Sequence, residues 1–195
     1  MARAGEGSKK QRVFVALDLP EPLREGLTAW GQAELVDPAL RPTRPESLHV
    51  TMVFLGNREP AAVEAIAAVV KRSGVPAPLL KLEDPISLPR RRRASLFALP
   101  APSPAASDLQ RGLVERLVTA GLYEREERSF WPHVTVARVR PEGRGSRRPA
   151  AVARRPGDLP AGLKHPFGSV RLALYRSELQ SGGSRYVPLA QVELS

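Results

Sequence analysis

The chain has no cysteine. That removes disulfides, thiolate-held zinc or iron-sulfur centres and a thiol nucleophile together. It contains three histidines and five threonines, and aromatic residues make up 5% of its 195 residues. No apolar run approaches the roughly 20 residues of a membrane-spanning helix. The opening stretch, residues 1–11, is polar and charged where a secretory signal would be apolar. These absences predict a cytoplasmic protein with a disordered leader over 1–11 and one domain over 12–195, large enough to bury a core.

Acidic residues are outnumbered. Thirty Lys and Arg face 20 Asp and Glu, giving a net charge of +10, and only five of the basic residues are lysine. Such a surplus favours a polyanionic partner, with nucleic acid foremost, through phosphate contacts. An Arg-, Ala- and Pro-rich coding bias produces the same composition, so charge alone does not decide function.

Arg12 to Asp18, RVFVALD, reads as a buried strand ending at Pro20. Leu23, Leu27 and Trp30 then recur at helical spacing, with Pro22 in the first turn. Over Ser47 to Leu55, alternation sets Leu48, Val50, Met52 and Phe54 on one face and His49, Thr51, Val53 and Leu55 on the other. Val63, Ile66, Ala67 and Val70 predict a helix over Pro60 to Arg72, followed by a strand near Leu79 to Leu82. The arginines Arg90 to Arg93 form a basic turn before a strand at Ser95 to Leu99. Ser107 is the expected cap of a helix carrying Leu109, Leu113, Leu117 and Val118, and a second alternating strand covers His133 to Val139. Arg140 to Pro160, dense in Arg, Pro and Gly, reads as a mobile basic loop. Phe167 to Leu179 and Tyr186 to Leu194 read as a hairpin around Ser181 to Gly183. The sum is an α+β protein. Phe14, Ala16 and Leu17, a helix and the His49 strand echo Phe97, Ala98 and Leu99, a helix and the His133 strand, which suggests an internal duplication.

Two of the three histidines sit in His-x-Thr triplets, at His49-Val50-Thr51 and His133-Val134-Thr135. With so few of either residue, random placement gives two such triplets in roughly two chains per thousand, so the pair is the signal. In a strand, residues two apart share a face, so each triplet sets an imidazole beside a hydroxyl. Two such strands side by side hold the parts for phosphoryl chemistry. One neutral imidazole takes a proton, one imidazolium gives one, and hydroxyls bind phosphate oxygens. A pKa near 6.5 lets histidine serve either role near neutral pH. The plainer reading is two half-buried strand histidines beside threonines chosen for β propensity. It explains either triplet alone better than both together. A zinc site would need His165 as third ligand, and no acidic residue stands at a familiar ligand spacing, so no metal or other cofactor is expected. His165, beside Pro166, reads as a turn residue.

Four segments in order, RVFVALDLP, LHVTMVFLG, PHVTVARV and LYRSEL with RYVPL, resemble the RNA 2',3'-cyclic phosphodiesterases of the 2H phosphoesterase superfamily, once called 2'-5' RNA ligases. The resemblance runs from Arg12 to the C-terminus. It implies a bilobal fold whose two pseudo-symmetric lobes line a central cleft, with helices outside. It also implies hydrolysis of RNA 2',3'-cyclic phosphate ends to 2'-phosphomonoesters, with 2'-5' ligation as a reverse activity. It makes His49 and His133 the catalytic pair and Thr51 and Thr135 the phosphate-binding hydroxyls. It places Arg138 on the substrate and Phe14 near the nucleobase. Which histidine is acid and which base stays open, with His49 as acid the favoured order. An ideal strand sets Arg138 on the face opposite His133, so a bulge or the strand end has to turn it inward. The expected partner is RNA with a cyclic phosphate end, such as a tRNA fragment, or a small cyclic nucleotide, acted on by a monomer. A module that binds phosphorylated RNA ends without turnover is the rival reading.

Overall fold

The computed structural model describes residues 10–74, 76–90, 92–180 and 183–194. The expected leader, apart from Lys10 and Gln11, and the turn residues Ser181 and Gly182 lie outside the described residues, as does Arg91 of the arginine run.

The first half of the chain builds β1 (Gln11–Asp18), α1 (Glu21–Glu34), β2 (Leu40–Pro42), β3 (His49–Arg58) and α2 (Pro60–Lys71). The second half builds β4 (Leu79–Leu80), β5 (Ile86–Leu88), β6 (Leu96–Pro100), α3 (Pro104–Thr119), β7 (His133–Val139), β8 (Phe167–Gly168), β9 (Arg171–Gln180) and β10 (Gly183–Glu193). One antiparallel sheet runs in the order β10-β9-β1-β3-β7-β6-β5, with β2 also on β7, and β4 pairs separately with β8. The fold is α+β as expected, and the two halves meet where the histidine strands β3 and β7 lie side by side.

That meeting is narrow. β3 touches β7 in the ladder only at Val50↔Val134, while β2 takes the rest of the same edge at residues 137–139. Beyond Val50 the strands diverge, which opens a cleft instead of a closed sheet. Val13, Val15, Leu17, Val50, Val53, Leu172 and Leu174 are all nearly inaccessible, and α2 covers β1, β9 and β10 through Val63, Ile66, Val69 and Val70. At roughly 1.5–3 kcal/mol for each large apolar side chain buried, this layer holds the sheet in place under the site.

Four expectations change. The cap of α3 is Ser103, not Ser107: its hydroxyl accepts from Ala106 N and donates to Leu79 O at 2.6 Å. Pro104, preset for the first helical position, moves the start forward. In that helix Val114 is buried and Val118 is 38% exposed. The strand expected from Phe167 breaks at Ser169, whose hydroxyl donates to Asp18 O. The Arg140–Pro160 segment has little regular structure but is stapled to the body. Asp37 accepts from Ala153 N and Arg154 N, Glu34 from Gly157 N, and Asp84 from Leu159 N.

Candidate active site

Each histidine strand carries a bulge just after its His-x-Thr triplet. In β3, Ala16 faces Thr51 and Val15 faces Val53, leaving Met52 unopposed. In β7, Ala98 faces Thr135 and Phe97 faces Ala137, leaving Val136 unopposed. One extra residue reverses the alternation, so the side chain five places after each histidine returns to the cleft face. This is how Arg138 joins His133 and Thr135 despite its odd spacing. In β3 the corresponding residue is Phe54, which strict alternation assigned to the core face and which is 43% exposed.

The register Val50↔Val134 is a local pseudo-dyad. One step either way along antiparallel strands sets His49 level with Thr135 and Thr51 level with His133. Both rings are anchored alike. His49 Nδ1 lies 2.8 Å from Ser47 O, and His133 Nδ1 lies 2.8 Å from Trp131 O. A carbonyl can only accept, so Nδ1 carries the hydrogen and Nε2 is the working nitrogen in both. His49 Nε2 is 3.0 Å from Thr51 Oγ1.

The surroundings differ. His49 is flanked by Phe14 at 5.0 Å and Tyr186 at 5.3 Å between ring centroids, and its opposite residue on β1 is Asp18. Asp18 is 5% exposed and accepts from Tyr175 Oη at 2.8 Å and from Arg171 Nε. Burial pulls His49 down to about 4, against the Ser47 carbonyl and the Asp18 charge, which raise it. His133 stacks on Trp131 at 4.3 Å. Burial lowers it too, and the nearby Arg128 and Arg138 add to the effect. Arg138 and His133 also depress His49.

A cleft of about 830 Å³ is lined by Thr51 and Phe54 of β3, by His133, Thr135 and Arg138 of β7, by the 123–131 loop and by α3. His49 stands at its margin, not in its wall. Phe14 is not brought to the surface. It is 4% exposed, and His49, Tyr175 and Tyr186 surround it, which leaves no free face for a base. The exposed aromatics of the cleft are Phe54 and Trp131, and Arg12 lies 4.9 Å over the Phe54 ring. The sequence reading missed Asp18, Phe54, Trp131 and Tyr186. Only Asp18 left a trace there, as a carboxylate closing a strand of apolar residues. Among the described residues, no three His, Asp or Glu side chains converge as a metal site.

The sequence pattern of the 2'-5' RNA ligase superfamily matches residues 19–160, and the chain belongs to that family. It is 28% identical to the RNA 2',3'-cyclic phosphodiesterase of Escherichia coli (strain K12), an alignment covering 96% of this chain and 99% of that one. It is 30% identical to the Methanothermobacter thermautotrophicus protein of the same name, over 92% and 97% of the two chains. Among solved structures, E. coli LigT complexed with 3'-AMP superposes with a TM-score of 0.74 at 25% identity, covering 96% of this chain and 99% of that one.

Proposed function

We propose that this chain hydrolyses the 2',3'-cyclic phosphate ends of RNA to 2'-phosphomonoesters, with His49 and His133 as its base and acid. The observation that carries the reading is the pair of imidazoles anchored alike through Nδ1 on strands related by one pseudo-dyad, with a threonine two residues after each and the His49 Nε2 beside the Thr51 hydroxyl. The relatives' names give the substrate class. A cyclic phosphate between the two triplets has its non-bridging oxygens within reach of the Thr51 and Thr135 hydroxyls and the Arg138 guanidinium, which stabilise charge developing in the transition state.

Water attacks phosphorus while neutral His49 Nε2 takes its proton. The P–O3' bond breaks, and His133 Nε2–H protonates the departing O3'. The order follows from burial. His49, enclosed by Phe14 and Tyr186 and held near 4, is assigned as the neutral partner, and His133, also lowered but against a part-exposed ring, as the one that carries the proton. That reverses the order the sequence favoured. An RNA 5'-hydroxyl in place of water would form a 2'-5' phosphodiester by the same step, the ligation side of the reading. Both protons have protein partners, so the chemistry as written uses no metal. Phe14 and Tyr186 hold the His49 ring, and Phe54 and Trp131 offer faces for bases.

The test is turnover of a short RNA with a 2',3'-cyclic phosphate end, in EDTA. The product should be a 2'-phosphate, formed by wild type and lost in His49→Ala and His133→Ala. Binding without turnover would make the cleft a recognition module instead.

A further inference from the structure

We infer that a second pocket, across Arg138 from the histidine cleft, grips the phosphodiester one nucleotide upstream of the cyclic end, so that the enzyme selects RNA strands over cyclic mononucleotides. The inference rests on the proposed activity and names how its substrate is chosen.

The pocket is small, about 60 Å³, and its lining includes Arg41, Arg44, Ser47, Arg138, Ser184 and Tyr186. On this measure one water needs roughly 10–15 Å³, so the space accommodates several groups of the size of phosphate oxygens. Three of its eight lining residues are arginines. Arg41 and Arg138 stand directly opposite each other on β2 and β7, a placement that costs stability for like charges. Among the described residues, no ion pair reaches Arg41, Arg44 or Arg138. This exposed cluster of positive charge has no protein counter-charge among those residues, and an anionic ligand is complementary to it. A phosphodiester anion supplies that counter-charge, with hydroxyls of Ser184 and Tyr186 as further donors.

The pocket is also joined to the reacting centre. Arg138 lines both cavities. Ser47 contributes the carbonyl that anchors His49 Nδ1, and the Tyr186 ring lies 5.3 Å from the His49 ring. A strand whose cyclic end lies between the threonines thus passes its next phosphate along the His49 side. The terminal base is left to the larger cleft.

The experiment compares three substrates: adenosine 2',3'-cyclic phosphate, the dinucleotide ApA ending in a 2',3'-cyclic phosphate, and that dinucleotide with a neutral methylphosphonate between its nucleosides. Wild type should favour the charged dinucleotide over the mononucleotide in kcat/KM by about tenfold or more, the scale of one or two charge-assisted hydrogen bonds. Methylphosphonate should erase most of that advantage, and Arg41→Gln and Arg44→Gln should each pull the dinucleotide-to-mononucleotide ratio towards one. A ratio indifferent to the methylphosphonate, or to both arginine substitutions, overturns the subsite. If no substrate turns over, the proposed activity falls separately. Calorimetric affinity for ApA 2'-phosphate then decides the pocket. Weaker binding of its methylphosphonate analogue, and by Arg41→Gln, supports the subsite, and equal affinities overturn it.

Discussion

The two halves of the site, HVTMVF over residues 49–54 and HVTVAR over 133–138, share a backbone and differ in what surrounds it. Each has a histidine tied through Nδ1 to the carbonyl two residues back, a threonine two residues on, a bulge after that and a cleft-facing side chain at the fifth place. Yet the residue opposite His49 is Asp18 and the one opposite His133 is Pro100. One ring is enclosed by Phe14 and Tyr186, while the other lies against a part-exposed Trp131. The fifth-place residues are Phe54 and Arg138. Duplicated backbone thus positions two identical groups, and unequal surroundings separate their proton affinities, which is what an acid and a base require.

The largest break in the comparison is removal of either imidazole. His49→Ala and His133→Ala should each lower kcat/KM on a cyclic phosphate by about 10³-fold, within the range of acid-base catalysis. The roles separate on a 2'-(p-nitrophenyl) phosphodiester, whose leaving group needs no proton. Stopped assays should show His133→Ala near the wild-type rate and His49→Ala still crippled. Equal losses in both would mean the halves are not functionally distinct.

Next in size is the fifth-place pair. Arg138→Met should cost about 10- to 100-fold in kcat/KM through loss of a charge-assisted phosphate contact, whatever the base. Phe54→Ala should cost about tenfold and unevenly among terminal bases, as loss of a stacking face does. Steady-state kinetics on the four cyclic nucleotides would tell the two patterns apart.

The pH dependence sharpens the comparison more gently. In the proposed mechanism the free enzyme acts with His49 neutral and His133 protonated. The kcat/KM profile should therefore rise above about 4 and fall below the ordinary 6.5 of histidine, because His133 is itself lowered. Bound phosphate favours imidazolium, so the kcat profile should lie at higher pH. Asp18 raises His49, and Asp18→Asn should move only the acid limb, downwards. The same shift bears on stability. His49 resists protonation when folded and accepts it readily when unfolded, so its contribution is complete above pH 6.5 and lost as pH falls towards 4. Denaturant titrations of wild type across that window should show the loss, and His49→Gln should show less of it.

The smallest effect compares the helices between the paired strands of each half. Ser103 caps α3, whereas α1 begins without a side-chain cap. Ser103→Ala should cost about 1 kcal/mol in urea denaturation, with the activity profile unchanged.

Much of this was legible in the chain. The helices over 60–72 and from Glu21, the paired histidine strands and the repeat followed from periodicity, because burying one face of a helix or strand imposes its own spacing. In the repeat, Ala16 and Leu17 do correspond to Ala98 and Leu99, which take the same places opposite their histidine strands, and only the aromatic was misread. The mate of Phe14 is Leu96, not Phe97, since each faces the fifth residue after its histidine. Phe54 was misplaced for a related reason: nothing in the residue types around Met52 announces a bulge, which depends on the ladder with the neighbouring strand. β2 and β5, three residues each, are too short to show a period.

The sequence by itself determined the candidate reacting groups. Two His-x-Thr triplets, no thiol and a strongly basic charge left phosphate chemistry on imidazoles as the best-supported reading, and those facts are independent of conformation. Only the tertiary structure decided which imidazole is enclosed by aromatic rings beside a buried carboxylate, that Arg138 and Phe54 share the cleft face, that Phe14 is a wall and not a platform, and that Arg41 faces Arg138. Each depends on what lies opposite across a strand or around a ring, and those neighbours stand from about 30 to more than 130 residues away along the chain.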